Sequence, residues 1–213
     1  LKEVHLLSSS PELFLNVNNR LVETRPIKGT IKRSTNPAED ELLANTLKAS
    51  EKDCAENTMI VDLMRNDFSK VCLPESVEVL KWCSLESFAN VHHLVSVIQG
   101  RLKPESRLLD LLKACFPAGS ITGAPKLRAM EIIEECETVR RGPYCGSIGY
   151  ISFHDTMCLS VAIRTLCVKS NQFVFSAGGG ITFSSVAESE YQESILKAQK
   201  LIESISSFKG RVY

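Results

Sequence analysis

The sequence predicts an α+β domain with mostly antiparallel sheets. Short apolar runs bounded by turn residues recur along the chain, and long amphipathic segments stand between groups of them. Strands do not alternate strictly with helices, as a doubly wound fold requires. The 213 residues suffice for one domain with a substantial core, so residues 1–213 are read as one unit. With 44% hydrophobic and 23% charged residues, the chain is globular rather than disordered.

Each element follows from local chemistry. Residues 4–22 carry two apolar runs around Ser10-Pro11-Glu12 and Asn16-Val17-Asn18-Asn19, the pattern of a hairpin or meander. Pro26 and Gly29 exclude a helix in 23–35, which reads as irregular. One long helix is expected next. Asn36 suits the N-cap, Pro37 the first position, and Glu39, Asp40 and Glu41 the positive end of the dipole. Leu43, Leu47, Ala55, Met59 and Leu63 recur at helical spacing and carry it to about Asp67. Strands are expected at 76–82 and 87–100, then a short helix at 105–115 stopped by Phe116-Pro117. Residues 118–125 read as a loop, and Pro125 opens a helix to about Cys136. Three strands follow at 145–153, 157–168 and 172–177, the last broken by three glycines. A closing helix spans about 186–206, with Tyr191, Ile195, Ala198, Ile202 and Ile205 on its expected core face.

Composition excludes several function classes. A formal net charge of zero argues against a broad phosphate-binding surface, so no nucleic-acid partner is expected. No apolar run approaches the roughly 20 residues that span a bilayer, so no membrane partner is expected. The absence of a visible signal peptide points to the cytoplasm. The chain begins with Leu rather than Met, which suggests a fragment; an upstream transit peptide would redirect it to a plastid. Among the eight cysteines none forms a C-x-x-C pair or a zinc-like cluster with His. They read as small buried hydrophobes of a reducing compartment, Cys115 and Cys167 among them. A catalytic cysteine is the other reading, without an obvious partner.

Several groups could carry chemistry. Asp53 and Glu56 share one helix face, as do Glu190 and Glu193, with Lys197 one turn further on. One carboxylate from each helix would suit a hard cation such as Mg²⁺; a solvated face with ordinary ion pairs is the alternative. Glycines at 119 and 123, and again at 178–180, would let backbone N–H groups approach an anion, or else they simply punctuate turns. Lys28 could act as a nucleophile or base if desolvated, and otherwise is a surface lysine. Burial would make Glu12 a general acid; alone it is a turn residue. Arg164 interrupts an apolar run and is expected to meet a carboxylate, from a ligand or from the protein. His92 and His93 read either as half-buried histidines satisfied by the backbone or as groups at a substrate.

Taken together, these segments resemble the chorismate-binding enzymes, a family that includes anthranilate synthase component I, aminodeoxychorismate synthase component I and the isochorismate and salicylate synthases. The resemblance rests on Leu-Ser-Ser-Ser-Pro-Glu at 7–12, Arg-Pro-Ile-Lys-Gly-Thr at 25–30 and the run from Ala55 to Asp67. It continues through His-His-Leu-Val-Ser at 92–96, the run from Phe116 to Lys126 and Cys-Gly-Ser-Ile-Gly-Tyr at 145–150. Ile-Arg-Thr at 163–165, Ala-Gly-Gly-Gly-Ile at 177–181 and Tyr-Gln-Glu at 191–193 complete it, in family order across nearly the whole chain.

The resemblance implies an antiparallel β-sheet sandwich flanked by helices, of which this chain is the C-terminal portion, the upstream part of the domain being missing. It implies Mg²⁺ held by Glu56 and Glu193, with Asp53 and Glu190 orienting metal-bound water. Arg164 and Tyr144 would hold the enolpyruvyl carboxylate, helped by the N–H groups of Gly178 and Gly179. Gly29, Thr30 and Thr122 would contact the substrate, His93 would lie near the ring, and Lys197 near the metal and ring carboxylate.

Lys28 distinguishes the subfamilies: anthranilate synthases typically show Ala in this motif, whereas aminodeoxychorismate synthases show Lys. Ser-Ile-Thr at 120–122 points the same way. The implied reaction converts chorismate and ammonia to 4-amino-4-deoxychorismate, for 4-aminobenzoate and folate, with Lys28 as covalent nucleophile and Glu12 as general acid. A glutaminase, separate or fused, would supply the ammonia. The rival readings are anthranilate synthase component I and a degenerate scaffold for a glutaminase.

Overall fold

The structure, a computed structural model, describes residues 4–170, 172–183 and 185–207. In chain order it contains β1 (Val4–Ser8), β2 (Leu13–Asn18), β3 (Leu21–Arg25), β4 (Ile27–Lys32), α1 (Pro37–Lys48) and α2 (Glu51–Val71). A 3-10 turn at Pro74–Ser76 leads to β5 (Glu78–Ser87), β6 (Val91–Arg101), α3 (Leu108–Cys115), α4 (Gly119–Thr122) and α5 (Lys126–Cys136). Then come β7 (Ser147–Ile151), β8 (Met157–Val161), β9 (Thr165–Lys169), β10 (Gln172–Val174) and α6 (Ala187–Ser207). The chain divides into two compact units. The larger comprises Glu12–Arg140 and Ser147–Val161; the smaller comprises Leu1–Pro11, Arg141–Gly146 and Ala162–Tyr213. The expected α+β class with antiparallel sheets holds.

In the larger unit the sheet runs β4-β6-β3-β2-β8-β7, with β5 on the other side of β6. The β2–β3 hairpin turns through Asn19 and Arg20, both at positive φ, which matches the right-handed twist of the flanking strands. Phe14, Leu15, Val17 and Val22 bury their side chains from this hairpin. Residues 23–35 are not irregular as expected. β3 and β4 follow one edge of β6 in succession, and Ser96 N–H donates to the Pro26 carbonyl at 3.2 Å where they meet. Proline ends one strand segment there, and Gly29, at φ +80°, lies where the register shifts between Lys28 and Thr30. The residues that forbid a helix thus still permit a broken strand.

The single long helix expected from 36 to 67 is two. Asn36 caps α1 through its side chain, as expected. Ser50 then caps α2: its hydroxyl accepts from Asp53 N–H at 3.3 Å and donates to Asp53 Oδ2 at 2.6 Å. The restart shifts the buried stripe to Asn57, Ile60, Val61, Met64, Asp67, Phe68 and Val71, while Ala55 and Met59 face outward. A four-residue helical turn, α4, also lies inside the expected 118–125 loop.

In the smaller unit β9 lies between β1 and β10, all antiparallel. The strand expected over 157–168 is broken. Arg164 sits at φ +51° between β8 and β9, which belong to different sheets, so it is not a strand residue. On α6 the expected core face is largely outward: Tyr191, Ile195 and Ile202 are exposed, whereas Glu190 is buried. Hydrophobic spacing identified the helix but not its orientation: the one buried residue among its described positions is the polar Glu190.

All eight cysteines are free thiols. Cys72, Cys115 and Cys145 are buried as expected; Cys136 is exposed, and Cys167 is only partly covered. Among the described residues no helix is long and apolar enough to cross a membrane.

Candidate active site

The larger unit gathers one group of the expected residues. Glu12 immediately precedes β2 and is 7% exposed. A small apolar pocket lined by Phe14, Pro26, Ile60, Met64 and Ala118 adjoins it. Burial there pushes its carboxyl from 4.5 to about 7, against the opposing pull of the Ser120 hydroxyl, the Lys28 charge and the Ile27 N–H. At neutral pH a substantial fraction of Glu12 therefore carries a proton, as a general acid requires.

Lys28 is not a surface lysine. Its side chain is 16% exposed, its Nζ donates to the Ser120 carbonyl at 3.3 Å, and it lies 3.8 Å from Glu56 Oε2. Glu56 Oε1 in turn lies 4.0 Å from Lys52 Nζ. Two strands and two helices converge here: β4 supplies Lys28, the residue before β2 supplies Glu12, α2 supplies Glu56 and α4 supplies Ser120.

Gly29 brings β4 close to α2. A Cβ at that position would meet Asp53 Cβ and Cγ at 3.0 Å and Leu47 Cδ1 at 3.1 Å. Asp53 itself is engaged by Ser50 at the cap of α2. Thr30 Oγ1 lies 2.8 Å from His93 Nδ1, and Phe88 packs edge-on to the same ring with centroids 5.5 Å apart. Both histidines are buried rather than half-buried, and side chains engage them. His92 sits between Ser87 and Asp40, whose carboxyl Arg33 holds down at about 2. Thr122 donates back to the Ala118 carbonyl at 3.0 Å within α4.

The smaller unit gathers the others. Arg164 Nη1 donates to the Lys197 carbonyl at 2.6 Å, so among the described residues it meets a backbone oxygen rather than a protein carboxylate. Its half-buried guanidinium is disfavoured by desolvation, which Tyr144 partly offsets. A Cβ on Gly178 would lie 3.1 Å from the Tyr144 hydroxyl. Lys197 Nζ donates to the Gly178 carbonyl at 3.2 Å and pairs with Glu193 Oε1 at 2.5 Å. Ser185 Oγ donates to Glu190 Oε1 at 2.6 Å. A guanidinium, a phenol and glycine backbone in one place can receive a carboxylate.

The expected metal residues divide between the units, Glu56 in the larger and Glu193 in the smaller. Around Gly179, Glu190 Oε2 and Glu193 Oε1 lie 3.1 and 3.6 Å from the point a Cβ would occupy. Two carboxylates close on bare backbone here, and Glu190 Oε2 is an oxygen of the kind a hard cation takes, whereas Glu193 Oε1 is already paired with Lys197 Nζ. Among the described residues no group of three or more His, Cys, Asp or Glu is placed to hold a metal by itself.

Sequence reasoning gave no role to Ser120, whose carbonyl accepts from Lys28 and which lines the pocket beside Glu12, nor to Asp67 and Lys126. All three lie inside the motifs that carried the resemblance. Only their long-range partners reveal what they touch.

A sequence profile described as chorismate binding enzyme matches residues 1–203, and the chain belongs to that family. It is 50% identical over 202 residues to aminodeoxychorismate synthase component 1 of Salmonella typhimurium, covering 95% of this chain and 44% of that protein. A probable chloroplastic aminodeoxychorismate synthase of Oryza sativa subsp. japonica is 45% identical over 213 residues, covering all of this chain and 24% of that protein. The crystal structure of anthranilate synthase component I from Streptococcus pneumoniae superposes with a TM-score of 0.84 at 43% identity, covering 94% of this chain and 44% of that one. The chain thus spans less than half the length of these relatives.

Proposed function

We propose that the whole protein acts as component I of an aminodeoxychorismate synthase, converting chorismate and ammonia to 4-amino-4-deoxychorismate on the route to 4-aminobenzoate and folate. One observation carries the reading: the enclosed Lys28 amine, held by Ser120 and Glu56, in the same cluster as a Glu12 carboxyl that retains a proton near neutral pH. The 50% identity to a protein of that name supports it.

The chemistry balances as follows. In its unprotonated form Lys28 bonds through its lone pair to C2 of chorismate as both ring double bonds shift by one position and the C4–O bond breaks, and the Glu12 proton leaves with that oxygen as water. Ammonia then bonds to C4, the electrons shift back, and the C2–N bond to Lys28 breaks. The proton left on the new amine returns to Glu12. Arg164, Tyr144 and the backbone N–H groups of Gly178 and Gly179 hold the enolpyruvyl carboxylate, while Gly29, Thr30, Thr122 and His93 orient the ring. Glu56 and Glu193 would hold Mg²⁺, assisted by Asp53, Glu190 and Lys197. When bound, Mg²⁺ would neutralise the ring carboxylate and ease the electron shift.

A glutaminase subunit or domain is the proposed source of ammonia. The proposed compartment is the cytoplasm, or a plastid as in the rice relative's name. The test is product analysis of the whole protein with chorismate, Mg²⁺ and an ammonium salt. The expected product is 4-amino-4-deoxychorismate, and Lys28→Ala should lose at least about a hundredfold in its formation rate. Full output from Lys28→Ala would refute the covalent role. Anthranilate and pyruvate as products would establish the rival reaction, and no chorismate binding in calorimetry would point to a scaffold.

A further inference from the structure

Asp67 is 1% exposed, yet no step of the proposed reaction uses its carboxyl group. It lies on the buried stripe of α2, three turns beyond Glu56. Lys126, the first residue of α5, reaches it: Nζ lies 2.6 Å from Asp67 Oδ2 and also donates to the Cys115 carbonyl at 2.6 Å. Lys70 Nζ takes the other oxygen, Oδ1, at 2.8 Å. The Lys126 side chain is 14% exposed and that of Lys70 is 52% exposed, so the first pair is enclosed and the second is open.

An enclosed ion pair is weak evidence of stability, since desolvation opposes it and apolar side chains of similar volume often serve better. What this one supplies is geometry. Cys115 ends α3 and Lys126 begins α5, so one ammonium ties both ends of the intervening segment to α2. The middle of that segment lies against the same helix, where a Cβ on Gly119 would come within 2.7 Å of Leu63 Cδ2. The next residue, Ser120, offers its carbonyl to Lys28 Nζ at 3.3 Å and lines the same small pocket as Glu12. Glu56, which approaches Lys28 from the other side, is also on α2. Both groups that hold the Lys28 amine are therefore indexed to one helix, Glu56 directly and Ser120 through the Asp67–Lys126 junction.

We infer that Asp67 and Lys126 are positioning residues for the reaction: their ion pair sets the 116–125 segment against α2 so that the Ser120 carbonyl receives Lys28 and Ser120 closes the pocket beside Glu12. This inference rests on the role proposed above for Lys28 and Glu12. It touches no reacting atom directly.

The test compares the whole protein with Lys126→Met, Asp67→Asn, Lys126→Arg and the double variant Asp67→Asn/Lys126→Met. The double variant leaves no charge buried alone, and thermal melting checks that it folds. Its kcat should fall about tenfold to a hundredfold, with KM for chorismate within about threefold, as misplacement of a reacting group by an ångström does. The carboxyl midpoint of Glu12, read by infrared difference titration against Glu12→Gln, should also move from its wild-type value. A pair that served only stability would give a folded double variant with wild-type kcat and a wild-type Glu12 midpoint, and that result overturns the inference. If the double variant does not fold, Lys126→Arg, which keeps the charge but changes the reach, is judged by the same two readouts. The infrared titration needs no product, so it decides the inference even if the wild-type protein makes no 4-amino-4-deoxychorismate, which would instead refute the proposed function.

Discussion

Glu12→Gln keeps the shape of the side chain and removes its proton equilibrium. In the folded chain the carboxyl is raised from 4.5 to about 7, chiefly by burial. In the unfolded chain it titrates near its ordinary value. Between those two pH values the folded state holds more protons than the unfolded state, so stability falls as pH rises through the window. The destabilisation is absent below the lower value and complete above the higher one. At about 1.4 kcal/mol per pH unit, the gap corresponds to about 3 kcal/mol. Glutamine carries none of it. Glu12→Gln is therefore expected to match the parent near pH 4.5 and to exceed it by about 3 kcal/mol at pH 8.5. Urea unfolding of the whole protein at the two pH values measures this difference. An equal offset at both would refute the argument, because it would mean that Glu12 titrates alike in the folded and unfolded states. Activity should move the opposite way. On the proposed reaction, the loss of Glu12 as general acid should lower kcat by about a hundredfold or more, and the loss of rate above pH 7 that a protonated Glu12 would cause should disappear from the variant's profile.

Ser50→Ala removes the hydroxyl that caps α2 and engages Asp53; it should cost about 1 kcal/mol, read by thermal or urea unfolding, and no loss would show that the cap is dispensable. Gly149→Ala should abolish soluble folding, since its Cβ would fall 1.9 Å from the Cys158 carbonyl oxygen. Gly142→Ala has open space around it and only the strain of φ +60°, so it should cost about 1 kcal/mol and still express; equal yields of the two would refute the steric argument. Gly179→Ala places a methyl 3.1 Å from Glu190 Oε2 and 3.6 Å from Glu193 Oε1, so on the proposed function KM for chorismate should rise about tenfold with circular dichroism unchanged.

Much of the fold was legible from short-range patterns. The strands at β5 and β6, the helix at α3, the start of α5 and the cap at Asn36 follow from residues that are neighbours in sequence. The errors arose where one residue supports two outcomes. Pro26 and Gly29 forbid a helix equally well in a loop and in a broken strand, and only pairing with β6 distinguishes them. Ser50 is a helix cap in the middle of a continuous apolar periodicity, so the restart was hidden by the pattern itself. At Arg164 the apolar residues on both sides suggested one strand, but they belong to two sheets. On α6 the apolar stripe located the helix, but Glu190 rather than that stripe faces inward.

The candidate site was named in the sequence as a set of residues rather than as an arrangement. Motif chemistry singled out Lys28, Glu12, Glu56, Arg164, Glu193 and the glycine loops, and the family match over residues 1–203 bears out the resemblance that they carried. No local feature made Lys28 more than a lysine in a strand or Glu12 more than a turn residue. Their character depends on Ser120, 92 positions from Lys28, and on the apolar pocket beside Glu12. Residue identity and spacing are enough to specify which functional groups are present, because capping, turns and periodicity act over a few residues. Desolvation and charge pairing depend on groups brought together from distant parts of the chain, so the raised carboxyl of Glu12, the enclosed amine of Lys28 and the Asp67–Lys126 junction exist only once the tertiary structure has formed.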